Sequence, residues 1–460
     1  MPRAHHNKDV LLTLELEQSL LKQGIIMNNS LTAQWVEDFE GNPVPDTIIS
    51  SGIGGWAKIE GHELAYEAVS GHSCLNLGHA HPELIEAASE SFKKLSYCSP
   101  EHQSDSSIEL SNRLSTLLGG DYKIKYAISG SSANEMALNI ARKRWQALGY
   151  PNKTVCLSLD RSYHGNLGQA KQVTGFEPFK VDSHIIDDDF VYISSAKNAK
   201  TGELYSLDEI QKQIEATISK IGKEKIACLF VEPIGFAGGV IIPPKGYLKL
   251  LRQLCDEHQI SLVVDEVITG FGRTGAWFAF QQEDIRPDMV TLGKGITAGY
   301  FPLAAVAVDK QIYDDFIYHK IPLKMVITMA GHPTGCSIAL KAIEIIERDN
   351  LRDKIVLNEQ TIRSQFEQVK DLPVLQEIRG YGHMWGLEFC DFNDNSAANI
   401  ATQVALDCQN NGCIVAAADG IIRINPPLNI SQEECDMMAQ VIVKAVDNVT
   451  TSIKNKLKKE

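Results

Sequence analysis

Val263-Val264-Asp265-Glu266-Val267 contains an apolar run that stops abruptly in an acid. Such a run reads as a buried strand, and in open α/β sheets ligands bind beyond the carboxyl ends of strands, which places Asp265 at a ligand crevice. Taken alone, the acid has a plainer reading as an N-cap or turn residue. A second run, Met289–Leu292, ends in Gly293-Lys294-Gly295 and puts a lysine at another strand end, with glycines giving the backbone room.

Working outward, Ile124–Ile128, Thr154–Leu159, Ile226–Val231, Ser261–Val264, Met289–Leu292 and Leu303–Val308 are predicted to be buried parallel strands. Helical patterns alternate with them from about residue 85. The clearest runs from Ala133 to Leu148, where Met136, Ala137, Ile140, Ala141 and Trp145 form one stripe before Gly149 and Pro151. This alternation predicts an α/β fold with a mostly parallel, doubly wound sheet. Upstream, Gly52–Ser70 reads as short strands broken by Gly54, Gly55 and Gly61, and Leu11–Leu21 as an amphipathic capping helix. Beyond about residue 335, a long helix leads to strands near Trp385–Phe389 and Ile421–Ile424 and a final helix, as in a smaller α+β domain. The expected division is 1–84, a segment joining the small domain; 85–334, a large domain that carries the strand ends; and 335–460, the small domain.

The chain has 460 residues, 44% of them hydrophobic, the composition of a soluble globular protein. Its net charge of -14 argues against nucleic acid or an anionic membrane as partner, since both require clustered Lys and Arg. Only Lys454, Lys456, Lys458 and Lys459 cluster, as expected at the solvated end of a C-terminal helix. Ten cysteines without a CxxC pair fit reduced thiols in a cytoplasmic protein, and no stretch approaches the roughly 18 apolar residues of a membrane span.

Together, Lys294 and Asp265 meet two needs of pyridoxal 5'-phosphate chemistry. One is an amine that condenses with the cofactor aldehyde; the other is an acid that keeps the pyridine nitrogen protonated, so that the ring withdraws electrons. Once displaced, the amine can act as general base and acid. At a third strand end, Ser129-Gly130-Ser131-Ser132-Ala133-Asn134-Glu135 opens a helix whose free N–H groups, dipole and hydroxyls suit a phosphate. The same residues also fit a plain cap, with a serine at the N-cap and Glu135 completing a capping box. Tyr163-His164-Gly165 offers an aromatic face at a fourth strand end, and Glu232-Pro233 closes a fifth.

These elements resemble class III aminotransferases among the fold-type I pyridoxal phosphate enzymes, from about Gly52 to Leu428. The matching motifs are Val-Ser-Gly-His-Ser-Cys-Leu-Asn-Leu-Gly-His-Ala-His-Pro (69–82), the 129–135 segment, Tyr-His-Gly (163–165), Glu-Pro-Ile (232–234), Asp-Glu-Val-Ile-Thr-Gly-Phe-Gly-Arg-Thr-Gly (265–275), Thr-Leu-Gly-Lys-Gly (291–295), Gly-His-Pro (331–333) and Arg-Ile-Asn-Pro-Pro-Leu (423–428). The resemblance implies that Lys294 holds the cofactor as a Schiff base, Asp265 pairs with the pyridine nitrogen, and Gly130 and Ser131 bind the phosphate. Tyr163 and Val267 would sandwich the ring, with His164 and Glu232 beside it. Thr328 would contact the phosphate in the neighbouring subunit, making the active unit a homodimer. Arg423 matches the family's arginine for a substrate carboxylate, a task that suits its planar fork; its plainer reading is a surface salt bridge. The implied reaction is ping-pong transfer of an amino group from an amine or amino acid to a keto acid or aldehyde.

The chain also departs from the family. Ser132 stands where Glu is usual, and Glu232-Pro233-Ile234-Gly235-Phe236-Ala237 lacks a common Gln-Gly pair. Ornithine and 4-aminobutyrate aminotransferases carry a Glu at the position of Ala237, which points away from those two activities. Phe236 is expected to narrow the substrate entrance, and Ser73 is small where amine-specific relatives often place tryptophan.

Other readings compete with this one. Gly270-Phe271-Gly272-Arg273-Thr274-Gly275 fits a dinucleotide fingerprint, but Trp277, Phe278 and Phe280 follow it instead of an amphipathic helix, and the expected acid is missing. No G-x-S-x-G elbow, P-loop or HExxH occurs. His79 and His81 lack a third metal ligand nearby. An aminomutase of the glutamate-1-semialdehyde type, a racemase, or a catalytically silent dimeric binding protein would share the scaffold, because the sequence does not encode retention of an intermediate in a readable motif.

Overall fold

A computed structural model describes residues 49–59, 64–179, 188–198 and 201–457. The Leu11–Leu21 helix, Gly61 and the last three residues lie outside them. In chain order the strands are β1 (Ile49–Ile53), β2 (Trp56–Ile59), β3 (Leu64–Glu67), β4 (Tyr122–Ala127), β5 (Val155–Leu159), β6 (Phe190–Ile193), β7 (Ile226–Val231), β8 (Ser261–Asp265), β9 (Met289–Leu292), β10 (Ala304–Asp309), β11 (Leu375–Tyr381), β12 (Met384–Phe389), β13 (Cys413–Ile414), β14 (Ala416–Ala418) and β15 (Ile421–Ile424).

Seven strands form the large sheet, in the order β4-β10-β9-β8-β7-β5-β6. Every residue of β7 and β8 is buried because helices cover both faces. Gly130–Ala147 packs Met136, Ile140 and Trp145 on one face; Tyr247–His258 and Pro333–Arg348 pack Leu251 and Ile343 on the other. Each fully buried Val, Leu or Ile contributes about 1.5–3 kcal/mol relative to exposure, so this double cover is what holds the strand ends in place.

The run expected as a parallel strand at Leu303–Val308 is β10, which pairs antiparallel with both neighbours, Ala304 opposite Ala127 and Ala305 opposite Leu292. The Ile124–Ile128 run, also expected as a buried parallel strand, is the edge strand β4, partly exposed and paired antiparallel with β10; an apolar run carries no direction, which is why both expectations failed. Because β4 and β9 both oppose β10, β4 runs with β9, and the carboxyl ends of β4, β5, β7, β8 and β9 share one edge. Four strands went unforeseen: β6, a four-residue edge strand; β11, whose solvent-facing positions dilute its apolar pattern; and β13 and β14, which are only two and three residues long.

The expected Ala133–Leu148 helix begins earlier, at Gly130. Ser129 is its N-cap, and the capping box closes with Ser132, three positions on, instead of Glu135. Glu135 caps elsewhere, accepting from Ala170 N (3.1 Å) at the start of the helix Gly168–Val173. Only turns and a short 3-10 helix, Ala279–Glu283, follow Gly270–Gly275, in place of the amphipathic α-helix a dinucleotide site requires.

The C-terminal strands form a sheet of order β11-β12-β15-β14, packed with Leu351–Phe366, Ala397–Asn410 and Gln432–Leu457 around Trp385 and Phe366. Tyr66 of β3 joins this core, and β13 pairs parallel with β3, tying the N-terminal strands to it. Lys454 is exposed near the end of the last helix. No helix among the described residues is long and apolar enough to cross a membrane.

Candidate active site

The shared edge of the large sheet opens into a cavity of about 620 Å³. Its lining includes Gly130, Ser131, Tyr163, His164, Glu232, Asp265, Val267 and Lys294 from the sheet edge, and Phe236, Ser73 and Arg423 from flanking segments. Each of these residues was singled out in the sequence. Thr328 alone stands apart: it is exposed and does not line this chain's cavity, and its carbonyl accepts from Tyr97 Oη at 3.0 Å.

Asp265 ends β8 with its carboxylate buried. Oδ2 accepts from Asn134 Nδ2 at 2.7 Å and meets His164 Nδ1 at 2.8 Å, while Oδ1 accepts from Val267 N at 3.0 Å. Burial alone would raise its pKa. The hydrogen bond and charge of His164, with the Val267 and Asn134 donors, outweigh that and hold the carboxyl below its ordinary range. Asp265 is therefore an anion throughout the neutral range.

Lys294 follows β9 in the left-handed region, φ 43°, a conformation that a lysine holds only when its surroundings enforce it. No carboxylate among the described residues lies in ion-pair range of Nζ. Burial lowers the pKa of its ammonium, which favours the neutral, nucleophilic amine. Glu232, at the end of β7, accepts from Tyr163 N at 2.8 Å, and burial raises its carboxyl to about 7.

Backbones crowd where small residues permit it. A Cβ on Gly130 would lie 3.0 Å from Val267 Cγ1, and one on Gly293 would lie 3.2 Å from the same atom, so the Val267 side chain sits on both glycines. The first-turn N–H groups of Gly130 and Ser131 have no acceptor within their helix. They open on the cavity beside the Ser131 hydroxyl.

Across the cavity, Arg423 projects from β15 with its guanidinium buried. Nη2 donates to Ala237 O at 2.7 Å, Nη1 to Ala418 O at 3.3 Å and Nε to Phe236 O at 3.4 Å. Burial lowers its pKa to about 10, which leaves it cationic at neutral pH. The surface salt-bridge reading of this residue does not describe a side chain held mainly by carbonyls inside a pocket. Ser73, at φ 66°, accepts from Asn425 Nδ2 at 2.5 Å, and Phe236 packs against Ile234, Val240 and Met384.

The aminotransferase class-III family model matches residues 41–446. The chain is a class III aminotransferase. This aminotransferase is 30% identical to an uncharacterized aminotransferase, YhxA, of Bacillus subtilis, over 87% of this chain and 92% of that one. It is 28% identical to the putrescine–pyruvate aminotransferase of Pseudomonas aeruginosa, over 86% and 89%. Among solved structures, a pyridoxamine-phosphate-bound aminotransferase from Vibrio fluvialis superposes with a TM-score of 0.83 at 27% identity, covering 88% of this chain and 93% of that one. The cofactor is pyridoxal 5'-phosphate, and the reaction transfers an amino group between a donor and a keto acid. An aminomutase, a racemase and a silent binding protein are not favoured.

The residues of this aminotransferase suit that cofactor. The cavity holds a buried anion for a cationic ring nitrogen, an amine without a carboxylate partner among the described residues, and a helix start open to an anion. The buried Asn134 Oδ1 and His164 Nε2 meet no partner among the described residues.

Some contributors were not picked out in the sequence. Asn134 lay within the quoted 129–135 motif, and its position on the first turn of a helix aimed at the cavity was the available signal. Arg273, in the Gly-rich 270–275 segment, is fully buried and donates to Asn425 O, Pro426 O and, at 2.5 Å, Asn76 Oδ1. Asn76 in turn crowds Gly295, where a Cβ would lie 2.4 Å from Asn76 Nδ2. His79 faces Glu67 at 3.2 Å.

Proposed function

We propose that Lys294 is the lysine that carries pyridoxal 5'-phosphate in this aminotransferase, with Asp265 facing the pyridine nitrogen. The observation that carries this reading is a buried lysine without an ion-pair partner among the described residues, beside a buried aspartate kept anionic by three donors. The bound cofactor supplies an electron sink that acidifies the substrate carbon bearing nitrogen. Lys294 Nζ, its basicity lowered by burial, would take the proton from that carbon as general base and, once protonated, give it back as general acid from the same side. Asp265 keeps the ring nitrogen protonated, and His164 fixes the carboxylate's orientation.

The Gly130 and Ser131 N–H groups and the Ser131 hydroxyl hold the phosphate. Tyr163 and Val267 flank the ring, with Glu232 beside it. Arg423 holds the carboxylate of at least one substrate, and Phe236 and Ser73 shape the space for its other end. Pyruvate figures in the name of the Pseudomonas relative, and a small keto acid of that kind is the acceptor proposed here.

The active unit proposed is a cytoplasmic homodimer in which Thr328 completes the neighbouring phosphate site. Support comes from the exposed apolar surface beside it, Val326 at 69% and Met329 at 45% exposure, and from ten free cysteines. Mixing the holoenzyme with a panel of amines and amino acids while following the cofactor's absorbance tests the function. Donors should convert the wild-type band to that of pyridoxamine phosphate and should not do so in Lys294→Ala. An unshifted wild-type spectrum across the panel, or a normal response in the variant, would overturn the reading.

A further inference from the structure

The carboxylate that faces Arg423 comes from an unexpected element. With alanine at 237, the loop after β7 offers Arg423 only backbone carbonyls. Asp419 Oδ2 instead lies 3.8 Å from Arg423 Nη2, the one carboxylate in ion-pair range of it among the described residues. Asp419 and Gly420 form the two-residue loop between β14 and β15, with φ 53° and 72°. Positive φ at both positions is the I′ hairpin geometry that Asp-Gly sequences favour, and it fixes the aspartate over the arginine four residues along. Asp419 also lines the cavity, and its side chain is 39% exposed against 9% for Arg423. It can therefore swing into water at little cost, whereas the arginine cannot leave.

The surroundings make a counter-charge necessary. Arg379 and Arg161 add positive charge near Arg423, and a Cβ on Gly239 would lie 3.3 Å from the Arg379 guanidinium and 3.5 Å from that of Arg161. Arg379 is paired with Glu377 and Glu388, which also serve Lys197, so those acids are already engaged. When a substrate without a carboxylate fills the pocket, Arg423 would otherwise be a buried cation against an apolar chain, a costly arrangement.

We propose that Asp419 is the exchangeable counter-ion of Arg423: it pairs with the arginine when the substrate's distal end is uncharged, and yields to a substrate carboxylate. This rests on the reading of Arg423 as the carboxylate site, and it names two classes of substrate for one pocket. Carboxylate-bearing acceptors are taken in one half-reaction, and amines with an uncharged distal end in the other.

The test uses two probes on the holoenzyme: the dissociation constant of propionate, read from the cofactor absorbance, and the single-turnover rate with hexylamine. In Asp419→Asn, which keeps the turn geometry, propionate should bind about 3- to 10-fold tighter because its competitor is gone, and the hexylamine rate should fall by a similar factor. Asp419→Ala should move both in the same directions. Unchanged or parallel responses in the two probes would overturn the proposal. Arg423→Met separates the two claims: it should abolish propionate binding. If it does so while Asp419→Asn changes nothing, the counter-ion role alone fails. If Arg423→Met leaves propionate binding intact, or the wild type does not bind propionate, the carboxylate site itself fails.

Discussion

Asp265 Oδ2 and His164 Nδ1 meet at 2.8 Å with both side chains buried. An ionised carboxylate only accepts, so the proton of this contact is on Nδ1, and the imidazole is fixed in orientation by the acid it supports. Asp265→Asn would remove the charge while keeping the shape. Turnover should fall by at least about 100-fold, on the scale of losing one preorganised electrostatic partner. Stopped-flow measurement of the half-reaction checks this, and kinetics within a few-fold of wild type would refute the role assigned to the carboxylate.

Asn134 donates to both Asp265 Oδ2 and His164 O at 2.7 Å. Asn134→Ala deletes two hydrogen bonds and leaves Asp265 with fewer donors, so its pKa should rise. A depressed carboxyl pKa contributes stability above the unfolded value and loses it as the pH falls through the folded value. The variant should therefore lose part of that contribution, about 1–2 kcal/mol at neutral pH. The acid limb of its activity profile should move to higher pH. An acid limb superimposable on wild type would count against the link.

Burial raises Glu232 to about 7, above its ordinary carboxyl value. Here the sign is opposite: the unfolded chain releases its proton first, so stability falls as pH rises from about 4.5 to about 7 and stays lower above that. Glu232→Gln retains an acceptor for Tyr163 N and removes the charge. The cofactor-free variant should gain roughly 1–2 kcal/mol over wild type at pH 8 compared with pH 5, measured by denaturant melts at the two pH values. An equal difference at both would show that Glu232 is not the titrating group.

Much of this site could be read from strand ends. Lys294 and Asp265 stand out because each breaks an apolar run, and the double cover of the sheet makes those runs conspicuous. Arg423 was legible only through its motif, since a lone arginine on a strand carries no sign of the carbonyls that receive it. The bond between Asn134 and Asp265 spans 131 residues, and no local pattern encodes such a meeting. The direction of β10 was hidden because antiparallel pairing at a sheet interior leaves the same apolar run as parallel pairing. Asp419 was not singled out in the sequence, because an Asp-Gly pair signals only a hairpin turn, which it forms. Its relation to Arg423 follows from the hairpin register that places Ala416 opposite Arg423.

Gly165 has φ 138°, and a Cβ there would lie 2.6 Å from Ser131 Oγ and 2.9 Å from Ser131 Cα. Gly165→Ala must displace the backbone at the helix start, so cofactor affinity should weaken by about 10-fold or more. Gly130→Ala meets only the tip of Val267 at 3.0 Å and should cost less. Titration of the apo-enzyme with pyridoxal phosphate distinguishes the two, and an unaltered affinity in Gly165→Ala would contradict the proposed cradle.

The central claim is that the Lys294 amine forms the covalent link to the cofactor. Borohydride reduction of the holoenzyme, followed by proteolysis and peptide mapping, tests it most directly. The phosphopyridoxyl label should be found on the peptide containing Lys294 and disappear in Lys294→Ala. A label on another lysine, or none, would contradict the account.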